Sequence, residues 1–393
     1  MLDSIHIGMS GLLGYSKGLR VIGNNTANMN TPGYKSATLQ FTDLFYTSVA
    51  TGTEGRTQLG QGLGTAGTTL DFRQGDLRQT SNEFDLAVEG DGFFVLRDDQ
   101  VRTRYTRAGQ FEFDQDGRFV SRIDQSRVMG LDEAGNAVQI SLAGMRAIAG
   151  KATGTARFTG NLSSTTPEQT VGSVKVHDAM GGEHTLSVKF TNTGATTPNS
   201  WDVQLLDGQS VVGQSQLLFA DGKPTADTAK LVFSYAPAGA EAQQLTLDFS
   251  SDVTSFASGN LSTIAMTSQD GSPPGQLTKV TFDADGTLVA TYNNNLTAQG
   301  PRLVLARFST PDAVEELGSN LFAEANGIAW DRGFAGEGSF GAVKAGTLEV
   351  SNVDLSREFS ELVLMQRGYQ ASSQVVSTAN EMLQELFQMK GGK

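Results

Sequence analysis

The chain is predicted to be mostly β, with a long α-helix at each end. Three observations carry that prediction. Apolar residues recur every seven positions at both termini, the spacing of a coiled-coil seam. Between the termini, short apolar runs alternate with Gly- and Asp-rich turns. Two β motifs each occur twice, on either side of a central stretch.

At the N-terminus, Ile5, Leu12 and Leu19 lie seven apart, with Gly8, Tyr15 and Ile22 on the interleaved seam. Glycines at 8, 11, 14, 18 and 23 weaken this helix by roughly 1 kcal/mol each against alanine, and they let a neighbouring backbone approach closely. Asn30-Thr31-Pro32-Gly33 stops it. The C-terminal helix is stronger. Leu355, Leu362, Tyr369, Val376 and Leu383 form one seam; Met365, Ser372, Ala379 and Leu386 form the other. Ser351-Asn352 or Asp354 caps its start, with Glu358 a turn later, and Gly391-Gly392 ends it. The self-assembly residues are therefore Ile5, Leu12, Tyr15, Leu19, Ile22, Leu355, Leu362, Met365, Tyr369, Val376, Leu383 and Leu386.

Residues 36–70 are rich in Gly and Thr and read as an extended connector. From Leu70 onward, strands such as Phe84–Val88 and Phe93–Leu96 are split by turns such as Gly90-Asp91-Gly92. Phe113-Asp114-Gln115-Asp116-Gly117 returns as Phe282-Asp283-Ala284-Asp285-Gly286, and Gly160-Asn161-Leu162-Ser163 as Gly259-Asn260-Leu261-Ser262. Such bracketing predicts a nested plan. Residues 1–35 and 351–393 form a terminal helical coiled-coil domain. Residues 71–150 and 275–350 form a discontinuous β domain. An inserted outer β domain, barrel- or sandwich-like, spans 151–274.

The composition narrows the function. A formal charge of −13 disfavours nucleic acid and anionic membrane as partners. The absence of cysteine excludes disulfides, thiol catalysis and Cys-ligated metals. No uninterrupted apolar run is long enough to span a membrane. The start, Met1-Leu2-Asp3-Ser4-Ile5-His6, has none of the marks of a cleavable secretory signal.

No catalytic residue, cofactor-binding residue or metal ligand is expected. Gly62-Leu63-Gly64-Thr65-Ala66-Gly67 fits G-x-G-x-x-G, but a strand-like run follows it where a dinucleotide site needs a helix. The Asp114/Asp116 and Asp283/Asp285 turns have glycine at the fourth position rather than the sixth, so they are hairpin turns and not calcium loops. His177 and His184 straddle Met180-Gly181-Gly182 and are expected to face each other across a hairpin, two donors at most. The sequons at Asn161, Asn260 and Asn295 carry no expected modification.

Asn25-Thr26-Ala27-Asn28-Met29-Asn30-Thr31-Pro32-Gly33-Tyr34-Lys35 resembles the signature of the bacterial flagellar rod and hook proteins. Its motif turn comprises Asn25, Asn28, Asn30, Thr31, Gly33 and Tyr34. Phe84–Phe94, Tyr105–Phe111 and Ser351–Leu355 through Gln366–Ala371 resemble further stretches of that family, in its order. Length and the insert point to the hook branch; a distal rod subunit and, from another class, a secreted β-rich adhesin are the alternatives. The resemblance implies a structural subunit of the flagellum, exported without a cleaved signal through the flagellar type III apparatus. It implies a helical homopolymer outside the cell, a flexible joint passing motor torque from rod to filament. Its partners would be copies of itself, the distal rod protein, the hook–filament junction protein and the hook cap. Phe41, Leu44 and Phe45 resemble the export-gate motif of such substrates; a buried anchor for the connector accounts for the same residues.

Overall fold

The computed structural model describes residues 2–50, 56–132 and 135–391. Helix α1 covers Leu2–Ala27 and helix α2 covers Leu355–Gly391. Among the described residues, what lies between them is β strands and their turns, with one short 3-10 turn at Pro311–Ala313. Gly392, half of the expected stop of α2, lies outside the described residues. Of the candidate caps, Asp354 does the work: its Oδ1 accepts the amides of Ser356 and Arg357 at 2.9 and 3.2 Å.

The described residues of 36–70 form two antiparallel ribbons. Strand β1 (Ala37–Asp43) pairs with β4 (Leu63–Leu70), and β2 (Tyr46–Ala50) with β3 (Arg56–Gly60). Gly64 and Gly67 of the G-x-G-x-x-G stretch therefore belong to β4, Gly62 just precedes it, and no helix follows.

Two compact units emerge. The first holds Met1–Ala143, Thr281–Val289 and Gln299–Lys393; the second holds Gly144–Val280 and Ala290–Ala298. In the first, strand Phe93–Arg97 lies between Arg127–Leu131 and Thr103–Thr106, and the sheet continues through Leu321–Glu324 to an edge strand, Val314–Gly318. Its core gathers Phe93, Val95, Tyr105, Met129, Phe322 and Trp330 from distant parts of the chain. Trp330 stacks on Tyr105 at 4.2 Å and donates its indole N–H to Ala313. The returning C-terminal strands close the unit. Ala342–Ala345 pairs with Leu86–Glu89, and Thr347–Glu349 with Leu77–Gln79.

The repeated Asp-Gly motif gives the same turn twice. Gly117 and Gly286 have φ of 77° and 75°, conformations that favour glycine. Asp114 and Asp283 each accept the amide four residues on, at 2.7 Å.

The second unit has two five-stranded sheets. One is an antiparallel meander from Glu168–His177 through Lys223–Pro224; the other is built around Thr155–Asn161. Trp201, Phe158, Phe190, Phe249 and Tyr235 fill its core. The second sequence echo is also a contact, since the Ser163 amide donates to Ser262 Oγ and Ser163 Oγ to the Gly259 carbonyl. The histidines do not face each other. Val176 pairs with His184 and His177 with Glu183, so strand alternation sends the two rings to opposite faces. His184 instead meets Asp178 at 2.8 Å.

Candidate assembly site

The two ends of the chain meet along α1 and α2, and glycine makes that meeting close. A Cβ added at Gly8 would stand 2.6 Å from Val376 Cγ2, at Gly11 2.6 Å from Ser372 Oγ, and at Gly18 2.9 Å from Met365 Sδ. From the other side, a Cβ at Gly368 would enter the Tyr15 ring at 2.5 Å. Gly14 faces β4, where Leu63 lies 2.8 Å from the same construction. Four of the five glycines that weaken α1 in isolation thus line its packed face. Gly23 has nothing within 4 Å.

Ile5, Leu12, Tyr15 and Leu19 are half-buried and Ile22 is buried. On α2, Leu355, Leu362, Met365, Val376 and Leu383 are half-buried, with Ala379 buried beside them. Tyr369 and Leu386 depart from the expected seam: they are 42% and 48% exposed. Beside Tyr369 it is Gly368 that packs, against the Tyr15 ring; the rest of the seven-residue seam is kept. Away from the seam, Phe359, Leu364, Val375, Met382, Phe387 and Met389 stand exposed in an apolar surface.

Where the helices leave the β unit, polar side chains fix them. Asn25 donates to the Glu358 carboxylate at 3.0 Å and to the Ala37 carbonyl at 2.8 Å, while its Oδ1 accepts the Ala37 amide and the Tyr34 hydroxyl. Burial pushes the Glu358 carboxyl above the ordinary range, the Asn25 bond opposing it, and Glu358 Oε2 is buried with no hydrogen-bond partner. Burial, with the Glu316 and Glu358 charges, raises the Tyr34 hydroxyl to about 12. Asn28 and Thr31 bond each other; Gly33, at φ 72°, packs its Cα against the backbone of Arg107 and Ala108. Asn30 is exposed.

Beneath this joint lies a buried ion knot that sequence reasoning missed. Lys35 Nζ reaches Glu349 Oε1 at 2.6 Å, and Arg107 Nη1 reaches Glu349 Oε2 at 3.1 Å. All three side chains are nearly inaccessible. Backbone groups take further bonds: Lys35 donates to Arg73 O, Arg107 to Val88 O and Gly90 O, and Glu349 accepts the Gly75 amide, while Arg107 Nε is buried without a partner. Burial lowers the Lys35 ammonium from its ordinary value, and Glu349 pulls it back up. Burial lowers the Arg107 guanidinium in the same way. The knot ties the end of the N-terminal motif, the first β segment and the strand that leads to α2. Asn352 adds a fourth tie, accepting the Ser36 amide and donating to Asp71 O and Arg73 O.

Phe41 is half-buried, its ring 5.8 Å from Tyr15, whereas Leu44 and Phe45 are 38% and 72% exposed. The buried-anchor account therefore fits Phe41 and does not fit the other two. Among the described residues no cluster of three or more His, Asp or Glu is placed to hold a metal ion, and no helix is long and apolar enough to cross a membrane.

Comparison with known proteins agrees with this arrangement. Residues 5–35 match the flagella basal body rod protein family, residues 87–146 the flagellar hook protein FlgE/F/G D1 domain, and residues 344–389 the flagellar basal body rod FlgEFG protein C-terminal family. The chain is 32% identical to the flagellar hook protein FlgE of Escherichia coli (strain K12), over 97% of this chain and 98% of that one. It is 27% identical to the flagellar hook protein FlgE of Borreliella burgdorferi, over 99% of this chain and 100% of that one. In fold it is similar to the flagellar hook protein FlgE2 of Helicobacter pylori, with a TM-score of 0.52 at 13% identity, covering 70% of this chain and 100% of that one. A glycine-packed pair of terminal helices, a β unit closed by both halves of the chain and full-length similarity converge on one assignment: the chain belongs to the flagellar hook protein family.

Proposed function

We propose that this chain is the repeating subunit of a hook polymer, with α1 and α2 as its inner contacts and the two β units as its outer layers. The nested division into terminal helices, connector, discontinuous β domain and insert is the division of labour in that polymer. The role is structural rather than enzymatic. Subunits pass unfolded through the flagellar type III apparatus without a cleaved signal, and add outside the cell between the distal rod protein and the hook–filament junction protein, under a hook cap. Close helix contacts resist twist, and polar contacts between outer units slide as the joint bends.

The observation that carries this reading is the exposed apolar face of α2. Leu364 is 66%, Val375 45%, Met382 53% and Met389 80% exposed in a single chain. A 37-residue helix leaves such a face in water unless further helices cover it. The test keeps the chain full length and changes Leu364, Val375 and Met382 to Glu. These side chains are away from the α1 seam, so the monomer keeps its folded core and melting behaviour. Polymer formation, read by sedimentation, is expected to be abolished, and motility of a strain carrying the variant to be lost. Normal polymerisation of the triple variant would sink the proposal.

A further inference from the structure

A second contact surface lies on the sheet of the first β unit. A cavity of about 320 Å³ opens between strands Phe93–Arg97, Thr103–Thr106 and Arg127–Leu131. Val95, Met129 and Leu131 give it an apolar floor, and Arg97, Thr103 and Arg332 stand on its rim. Arg97 is the unusual member. It is half-buried, its Nε is out of contact with solvent and has no hydrogen-bond partner, and its guanidinium makes no ion pair among the described residues. Its neighbours are neutralised locally: Arg102 and Arg104 by Asp98, Arg127 by Asp99. A guanidinium with an unpartnered, solvent-shielded Nε beside an apolar floor fits a carboxylate that arrives with an apolar neighbour.

The same unit offers such a pair at its sheet edge. Strand Val314–Gly318 bonds to Leu321–Glu324 on one side only. Glu316 lines cavities with Lys17, Arg20 and Asn24 of α1. Glu315 and Leu317, on either side of it, are exposed, Leu317 by 43%. An acid and an aliphatic side chain thus stand two residues apart on an unpaired edge.

We propose that the Val314–Gly318 edge of one subunit docks on the Arg97 cavity of a second copy, Glu315 meeting Arg97 and Leu317 covering the apolar floor. This rests on the polymer reading above. Charge decides the occupant. Copies that each carry −13 repel one another, so a polymer of them needs points where a cation of one meets an anion of the next. The contact is head-to-tail, since the two patches differ, and such contacts propagate into open helical assemblies.

A charge swap in the full chain tests it. Arg97→Glu alone and Glu315→Arg alone are each expected to raise the critical concentration for polymerisation roughly tenfold. The double variant is expected to return it to within about twofold of the parent, because the pair is restored with its signs reversed. Monomer melting temperatures check that the variants fold. The chain has no cysteine, which permits a second readout. Thr103→Cys with Leu317→Cys, oxidised after polymerisation, is expected to give a ladder of covalent multimers. Parent-like polymerisation of either single variant, failure of the swap to rescue, or absence of the ladder would overturn the docking. None of these outcomes touches the α2 stripe variants, so the polymer reading stands or falls separately.

Discussion

Glu349 holds two cations at once, and both are out of water. Removing two charges from solvent costs several kcal/mol each, and only close geometry and completed hydrogen bonding recover it. Here every member also serves backbone groups, and Arg107 Nε is left buried without a partner. Glu349→Gln keeps the shape and removes the negative charge, leaving Lys35 and Arg107 buried against each other. A loss of about 3–5 kcal/mol is expected, the range for breaking a buried pair. The exposed pair Lys344–Glu89 is the control. Its side chains are 46% and 53% accessible, and Glu89→Gln is expected to cost under about 1 kcal/mol. Urea unfolding of both variants, compared at equal slope, reads the difference; similar losses would show that the knot is no more than a surface pair.

Among the elements, α1 sets intrinsic propensity against packing. Gly→Ala gains about 1 kcal/mol of helix propensity wherever space allows it. At Gly23, where space is open, Gly23→Ala is expected to stabilise by about that amount. At Gly8, the new Cβ meets Val376 Cγ2 at 2.6 Å and the Ser372 carbonyl at 3.2 Å, and the carbonyl belongs to a helix that cannot yield locally. Gly8→Ala is expected to destabilise by about 1–3 kcal/mol, the cost of overpacking. Thermal melts of the two variants should shift in opposite directions; equal shifts would mean the helices are not in close contact. Both helices were legible in the sequence because a seven-residue apolar repeat survives any tertiary context. Their seams were legible too, except at two positions of α2. A heptad reading promotes Tyr369 and Leu386, whereas the packed face runs through Gly368, whose lack of a side chain gives no periodic signal. The ion knot was also illegible. Lys35 and Glu349 are 314 residues apart, and nothing local marks a charge that will be buried by a distant strand.

At the scale of the molecule, each of the two units has a buried core of its own. One is built wholly from residues between Ala156 and Ile264, and the other is centred on the sheet of the first unit. The nested order follows from this, because the second core contains no residue from the chain ends and the first is closed only when the C-terminal strands return. A chain with two cores need not unfold in one step. The two tryptophans separate the steps, since Trp201 lies in one core and Trp330 in the other. Trp201→Phe leaves Trp330 as reporter of the first unit, and Trp330→Phe leaves Trp201 as reporter of the second. With Gly8→Ala added, the Trp330 signal is expected to melt earlier, because α1 packs within that unit, while the Trp201 signal keeps its midpoint. Phe158→Ala should do the reverse, moving only the Trp201 transition, by a loss of about 3–5 kcal/mol for a large buried ring. Coincident transitions in all four variants would mean that the cores unfold as one cooperative body. Under the proposed export route, separate cores would let the second unit fold before the helices have partners.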